Sequence, residues 1–225
     1  MAYKIAILGG TGKEGKGLAY RWALAGHEVV IGSRQVEKAQ LAADDINSHL
    51  AANNPSVVGL ENTQAADWCE IITLTVPFSA HRTMLESLKD VVKGKIFIDV
   101  TVPIVPPKVS VAQMPPSGSA AKEAQEILGP ETPVVSAFQN ISYERLLREG
   151  DIDCDVLVCG SKKDARKIVL SLVEEAGMTG WDAGALENSM VVEGLTSVLL
   201  HINKTYGSTE SGIKITGIKR GNTLE

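Results

Sequence analysis

Residues 4–17 read KIAILGGTGKEGKG, an apolar run that breaks into glycines and resumes as a helical pattern. The run at 4–8 has the β-branched, apolar character of a buried strand. Behind it, Gly10, Gly12 and Gly15 keep the G-x-G-x-x-G spacing, with Thr11, Lys13 and Glu14 in the variable positions. In a strand–turn–helix setting this spacing predicts a dinucleotide cradle. Gly10 is expected to make the tight turn, Gly12 to let the backbone approach a diphosphate, and Gly15 to let helix and strand pack closely. The helix N-terminus then offers unpaired N–H groups and partial positive charge to the anion.

The next strand-like stretch, EVVIGSRQVEKAQ at 28–40, says which dinucleotide. An NAD site places a carboxylate at the end of this strand, where it accepts from the ribose 2'-hydroxyl. Here the position holds Gly32, Ser33 and Arg34, and Lys38 follows one helical turn after Arg34. A hydroxyl, a guanidinium fork and an ammonium suit a 2'-phosphate that a carboxylate would repel. Two hydrogen bonds to a charged partner, at roughly 1.5–3 kcal/mol each, imply about a hundredfold or greater preference for NADP.

Further strand-like runs at 71–74, 95–100 and 133–137 alternate mostly with helical patterns, which predicts an α/β fold with a parallel, doubly wound Rossmann-type sheet. Helices are expected over about 12–25, with Leu18, Trp22 and Ala25 on one face, and over about 36–50, with Ala39, Ala43, Ile46 and Leu50. The proline-rich stretch from Thr101 predicts an ordered loop, with a helix beginning near Ser119. After Phe138 the pattern changes to a helix at 143–148, a strand at 155–159, a helix at 162–175, a short strand at 179–183 and a helix at 186–206. The expected organisation is an NADP-binding domain at 1–138 and a smaller C-terminal α/β domain at 139–225 that closes a second-cofactor cleft. The last helix has too many apolar positions for one stripe, which predicts burial on two sides and a homodimer or higher homo-oligomer.

With 44% hydrophobic residues the chain can bury a substantial core, and its net charge of −5 argues against general nucleic-acid binding. The direct entry into a strand and the lack of a long apolar segment predict a cytoplasmic protein with no membrane partner. Cys69, Cys154 and Cys159 lack C-x-x-C spacing or clustered histidines, so buried thiols and no metal are expected.

A proton shuttle is hard to find. Tyr20, Tyr143 and Tyr206 are followed four positions later by Leu24, Leu147 and Glu210, so the Tyr-x-x-x-Lys pair is missing. Asn188 has no nearby lysine. His27, His49 and His201 read as structural or solvated, and His81 after LTVPFSAH is the histidine expected near a cofactor. Without a catalytic acid or base, the pattern fits direct hydride transfer between two bound cofactors, helped by positioning and exclusion of water.

The blocks LGGTGKEGKGLAYRWALAGHEVVIGSR, LTVPFSAH, VVSAFQNIS, DVLVCG, DAGALENSMVVEGLTSVLLHIN and GIKITG occur in an order that resembles the coenzyme F420-dependent NADP oxidoreductases. The resemblance covers essentially the whole chain. It implies a Rossmann domain with a small C-terminal domain, and hydride transfer between NADP(H) and the deazaflavin F420. By position it puts NADP contacts on Thr11, Gly12, Lys13, Glu14, Ser33, Arg34, Lys38, Val76 and Pro77. Deazaflavin contacts fall on Phe138, Gln139, Asn140, Ile141 and Ser142, with Val102 and Pro103 at the cleft floor and Asn203 contributing. Family members often carry His where this chain has Gln139, so the ring-binding segment is expected to use amide donors instead. Alternatives are an NADPH-dependent flavin or ferric reductase and a non-catalytic NADPH-binding sensor.

Overall fold

The computed structural model describes residues 2–148 and 150–218. In chain order they form β1 (Lys4–Leu8), α1 (Lys13–Leu24), β2 (Glu28–Ser33), α2 (Val36–Asn47), β3 (Val58–Glu61), α3 (Asn62–Trp68), β4 (Ile71–Leu74) and α4 (Phe78–Leu88). There follow β5 (Ile96–Asp99), α5 (Ala120–Leu128), β6 (Val134–Ser136), α6 (Tyr143–Leu146), β7 (Asp155–Gly160), α7 (Lys163–Glu175), β8 (Thr179–Gly184) and α8 (Ser189–Tyr206).

The strands make one eight-stranded sheet in the order β3-β2-β1-β4-β5-β6-β7-β8. All neighbours are parallel except β6 and β7, which run antiparallel. This is the doubly wound Rossmann-type sheet that the strand–helix alternation predicts. Chain order reverses between β1 and β4, which puts a topological switch point at their carboxyl ends. Residues after 138 add β7 and β8 to the same sheet.

Buried side chains cover both faces of the sheet, as a parallel sheet requires. Leu18 and Trp22 of α1, Ile46 of α2, and Val169 and Leu172 of α7 cover one face; Ala65 of α3, Leu85 of α4 and Ala124 of α5 cover the other. Helix α5 starts at the expected place, where Ser119 accepts a hydrogen bond from the Lys122 N–H as its N-cap. The three cysteines are buried free thiols, and no group of metal-ligating side chains occurs among the described residues. None of the described helices is long and apolar enough to cross a membrane.

Strand β3 was not among the expected strands. It is four residues long at the sheet edge, Val58 is exposed, and Gly59 interrupts its apolar pattern. That glycine lets α2 lie against the strand, since a Cβ there would stand 2.3 Å from the Gln40 nitrogen.

Arg21 joins the first helix to the C-terminal part of the chain. Its buried guanidinium donates to the carbonyls of Leu146 at 2.7 Å, Gly150 at 2.6 Å, Arg145 at 3.2 Å and Arg148. On the next residue, the Trp22 indole N–H donates to Leu172 O at 3.0 Å and the ring meets Phe138 edge-on at 5.8 Å between centroids. Replacing the fork by an apolar side chain strands buried carbonyls. Arg21→Met should therefore lower stability by about 3 kcal/mol, which corresponds to about 6–12 °C in Tm for a chain of this size. A thermal melt by circular dichroism checks this, and a drop below about 2 °C would contradict the clamp.

Candidate cofactor cleft

The glycine turn divides its duties differently from the sequence expectation. The left-handed residue is Gly9, at φ +67°, and Gly10 is needed instead because a Cβ there would meet the Ile7 carbonyl oxygen at 2.6 Å. A Cβ on Gly15 would lie 2.6 Å from the Gly10 Cα, so α1 can seat on the turn only with glycine at that point. Nothing lies within 4 Å of a Cβ built on Gly12, which leaves its backbone open to an approaching ligand. These are the close-packing and open-backbone roles that a diphosphate cradle needs.

At the end of β2, Ser33 is nearly buried and its Oγ accepts from the Gln35 N–H at 3.2 Å, so its hydroxyl hydrogen is still available. Arg34 and Lys38 are exposed, and neither has an ion-pair partner among the described residues. Both cations are free for an anion. Lys13 and Lys16 are engaged: Lys13 Nζ pairs with Glu144 at 3.2 Å and lies 4.8 Å from the Tyr143 ring centroid, and Lys16 pairs with Asp45.

A cavity of about 870 Å³ opens at the switch point. One wall is the glycine turn, with Gly9, Thr11, Gly12 and Glu14; a second is the chain beyond β4 and β5, including Val76, Pro77 and Val102. The third wall comes from Gln139, Asn140, Ile141, Ser142 and Tyr143, backed by Thr196, Leu199, Leu200 and Asn203 of α8. The volume is that of a small-molecule site, and the lining is mostly apolar.

Several expected contacts sit outside this lining. Gly10 and Gly15 pack within the turn, Lys13 is exposed, and Ser33 at the end of β2, Arg34 just after it and Lys38 in α2 are not among the lining residues. Pro103 is buried away from the lining. Phe138 is buried against Trp22 with a left-handed backbone, φ +74°, a conformation that costs a non-glycine residue on the order of 1–3 kcal/mol. It turns the chain so that the next four residues face the cavity.

His81 is also outside the lining. It is fully buried beneath the strand ends, with Nε2 2.8 Å from Asp99 Oδ2 and Nδ1 3.4 Å from Glu123 Oε1. Burial alone would lower its pKa, but the Asp99 and Glu123 carboxylates prevail and raise it. Asp99 Oδ1 accepts from the Thr101 N–H at 2.9 Å, so the network sets the turn that leads into the cavity wall. Nearby, Glu193 of α8 accepts from the Ala120 and Ala121 amides and anchors α8 to the start of α5. Burial raises its carboxyl to about 8 against the pull of those two amides. A lone His after a strand gave no sign of these partners, which come from elements 18 and 42 residues away.

Residues 139 and 140 correct another expectation. Gln139 Nε2 donates to Asp99 O at 2.7 Å and Ser136 Oγ at 2.9 Å, and Asn140 Nδ2 donates to Val192 O at 2.9 Å and Thr196 Oγ1 at 3.2 Å. Both amino groups are already used to pin the segment to β5 and α8, so they are not donors for a ring carbonyl. The amide oxygens Gln139 Oε1 and Asn140 Oδ1 are the groups without a protein partner. The sequence also gave no reason to single out Glu14 as a cavity carboxyl, because in the motif it fills a variable position.

A family model described as NADP oxidoreductase coenzyme F420-dependent matches residues 4–103. The F420-dependent NADP reductase of Methanothermobacter marburgensis is 41% identical over 221 residues, covering 96% of this chain and 99% of that protein. The F420-dependent NADP reductase of Methanocaldococcus jannaschii is 38% identical over 223 residues, covering 96% and 99%. A crystal structure from Arthrobacter sp. FB24, assigned as an F420-dependent NADP-reductase, superposes with a TM-score of 0.80 at 25% identity, covering 96% of this chain and 100% of that one. Near-complete coverage at this identity, on a chain with a switch-point cleft, establishes that the chain belongs to the F420-dependent NADP reductase family.

Proposed function

We propose that this protein transfers a hydride between NADP(H) and coenzyme F420 in the cleft at the switch point. The observation that carries the reading is the pair of cations without ion-pair partners among the described residues, Arg34 just after β2 and Lys38 in the first turn of α2, in a chain whose switch-point cavity has mostly apolar walls. Gly12 and the first turn of α1 would take the diphosphate, and Ser33, Arg34 and Lys38 the 2'-phosphate. Val76, Pro77 and Val102 would border the nicotinamide, while residues 139–142 and Asn203 would border the deazaflavin. When bound, the two cofactors supply the redox chemistry. The chain's own residues bring their rings together and keep water away. Residues 139–225 act in this reading as the unit that closes the cleft over the second cofactor.

Anaerobic mixing with NADPH and F420 should bleach the deazaflavin absorbance. No bleaching at any pH from about 5 to 9 would reject the reaction, and turnover of a flavin or ferric chelate in its place would reassign the acceptor. Arg34→Ala should raise the KM for NADPH about tenfold to a hundredfold, the loss of one hydrogen bond to a charged partner, with a smaller effect on kcat. Equal KM values for the variant and the parent would remove Arg34 from the phosphate site.

We also infer a homodimer working in the cytoplasm, where the three unpaired thiols are stable. In the single chain, α8 buries Val192 and Ser197 but leaves Met190, Val191, Val198 and Ile202 exposed. Its second apolar side therefore faces solvent, and a patch of this kind marks an association surface. Sedimentation equilibrium should give twice the chain mass, and Val198→Arg should shift the population to monomer; a monomeric parent would exclude the interface.

A further inference from the structure

We propose that residues 208–215 are a strap that closes the cavity over the second cofactor, and that Glu210 is its latch. Glu210 is a positioning residue: it acts by holding Thr209 and Ser211 in the cavity lining. The inference rests on the hydride-transfer reading and names the segment that does the closing.

After α8 the chain turns at Gly207, whose backbone is left-handed at φ +65°, and residues 208–215 have no helix or strand of their own. Thr209 and Ser211 line the cavity together with Ser142, Leu199 and Asn203. Each of those three also bonds to the strap. Ser142 Oγ donates to Thr209 O at 3.0 Å, Ser211 Oγ donates to Leu199 O at 3.2 Å, and the Ser211 N–H donates to Asn203 Oδ1 at 3.1 Å. The strap thus belongs to the third wall, where the deazaflavin would sit. Its far end returns to the sheet: the Asp155 N–H donates to Ile213 O at 2.9 Å, the Ile215 N–H donates to Asp155 Oδ2 at 2.7 Å, and Lys214 pairs with Asp153 at 2.7 Å.

Between those ends, one carboxylate meets two guanidiniums. Glu210 Oε2 accepts from Arg145 Nε at 3.1 Å and from Arg148 Nη1 at 3.2 Å, and Oε1 pairs with Arg148 Nη2. The backbone carbonyls of both arginines are bound by Arg21 of α1, so the strap is fastened to a fixed point. Little else holds it down. Its only large apolar side chains are Ile213 and Ile215, and neither is buried. A segment kept in place by polar contacts and partly exposed ion pairs opens locally, at less than the cost of global unfolding.

Gly212 supplies a reporter of that opening. A Cβ there would stand 2.6 Å from Cys154 Sγ and 3.6 Å from Asn140 O, so the strap backbone lies on the thiol. Cys154 Sγ is in turn 3.6 Å from Asn140 O. The closed strap therefore shields Cys154 and backs the cavity wall at Asn140. Cys69 follows α3 and Cys159 pairs with Ser136 in the sheet, so these two buried thiols serve as internal standards.

The test is alkylation of the native full chain with iodoacetamide at about pH 8, with each cysteine followed by peptide mass spectrometry. Raising NaCl from about 0.05 M to about 1 M should speed labelling of Cys154 about threefold to tenfold, because partly exposed ion pairs are screened. Cys69 and Cys159 should stay slow. Glu210→Ala should label Cys154 faster by a similar factor at low salt and respond less to added salt. F420 should protect Cys154 in the parent, and NADPH alone should not. In turnover Glu210→Ala should raise the KM for F420 about threefold to tenfold and leave that for NADPH within about twofold. Unchanged Cys154 labelling in Glu210→Ala overturns the latch, and so does equal acceleration at all three cysteines, which marks general loosening. Two KM values that rise together overturn the assignment to the second cofactor. Failure of the parent to bleach F420 removes the hydride-transfer reading, while the labelling rates still decide the latch.

Discussion

The first turn of α1 rests on the turn after β1 with no space between them for a methyl group, and the cleft is built outward from that contact. Because Gly15 touches Gly10, the helix N-terminus ends at the carboxyl edge of the sheet, where its free N–H groups can meet an anion. Further along the same helix, Arg21 binds the carbonyls of Arg145, Leu146, Arg148 and Gly150, and Trp22 meets Phe138. Two walls of the cavity are therefore referenced to one rigid helix. A small change in how α1 seats would move the glycine turn and the cavity wall at residues 139–142 together, which keeps their spacing constant.

Charge is distributed around the cavity with a clear division. Cations are kept off its walls: Arg34 and Lys38 are outside the lining, and Lys13 and Lys16 are tied to carboxylates. The buried His81–Asp99–Glu123 network lies behind the wall and sets the backbone of Thr101 without presenting charge to the cavity. Hydride transfer between two flat rings benefits from this arrangement, since positioning and dryness carry most of the work and stray donors would reintroduce water.

The parts legible in the sequence were those set by local chemistry. The glycine spacing, the Ser33–Arg34–Lys38 set and the strand–helix alternation each depend on residues close in the chain; the alternation is realised in the sheet, and the glycines in a tight turn between β1 and α1. What escaped depends on distant partners. Strand β3 is recognised as a strand by pairing with β2, since its own four residues carry a weak pattern. The direction of the Gln139 and Asn140 amides is decided by carbonyls on Asp99 and Val192, so their donors could not be known to be occupied. His81 has the composition of a site residue and the neighbours of a structural one.

The strained backbone at Phe138 shows how these constraints meet. A left-handed residue with a buried aromatic side chain is unfavourable by itself, and the edge-on contact with Trp22 recovers only about 0.5–1.5 kcal/mol. The conformation persists because both flanks are held: Ser136 belongs to the sheet through β6, and Gln139 and Asn140 are pinned by four donated hydrogen bonds. The turn at Phe138 moves the chain from the sheet edge onto the cavity within one residue. A relaxed backbone would lengthen that path and carry residues 139–142 away from the strand ends opposite them. The strain is thus a local cost of bringing residues 139–142 onto the cavity opposite the strand ends.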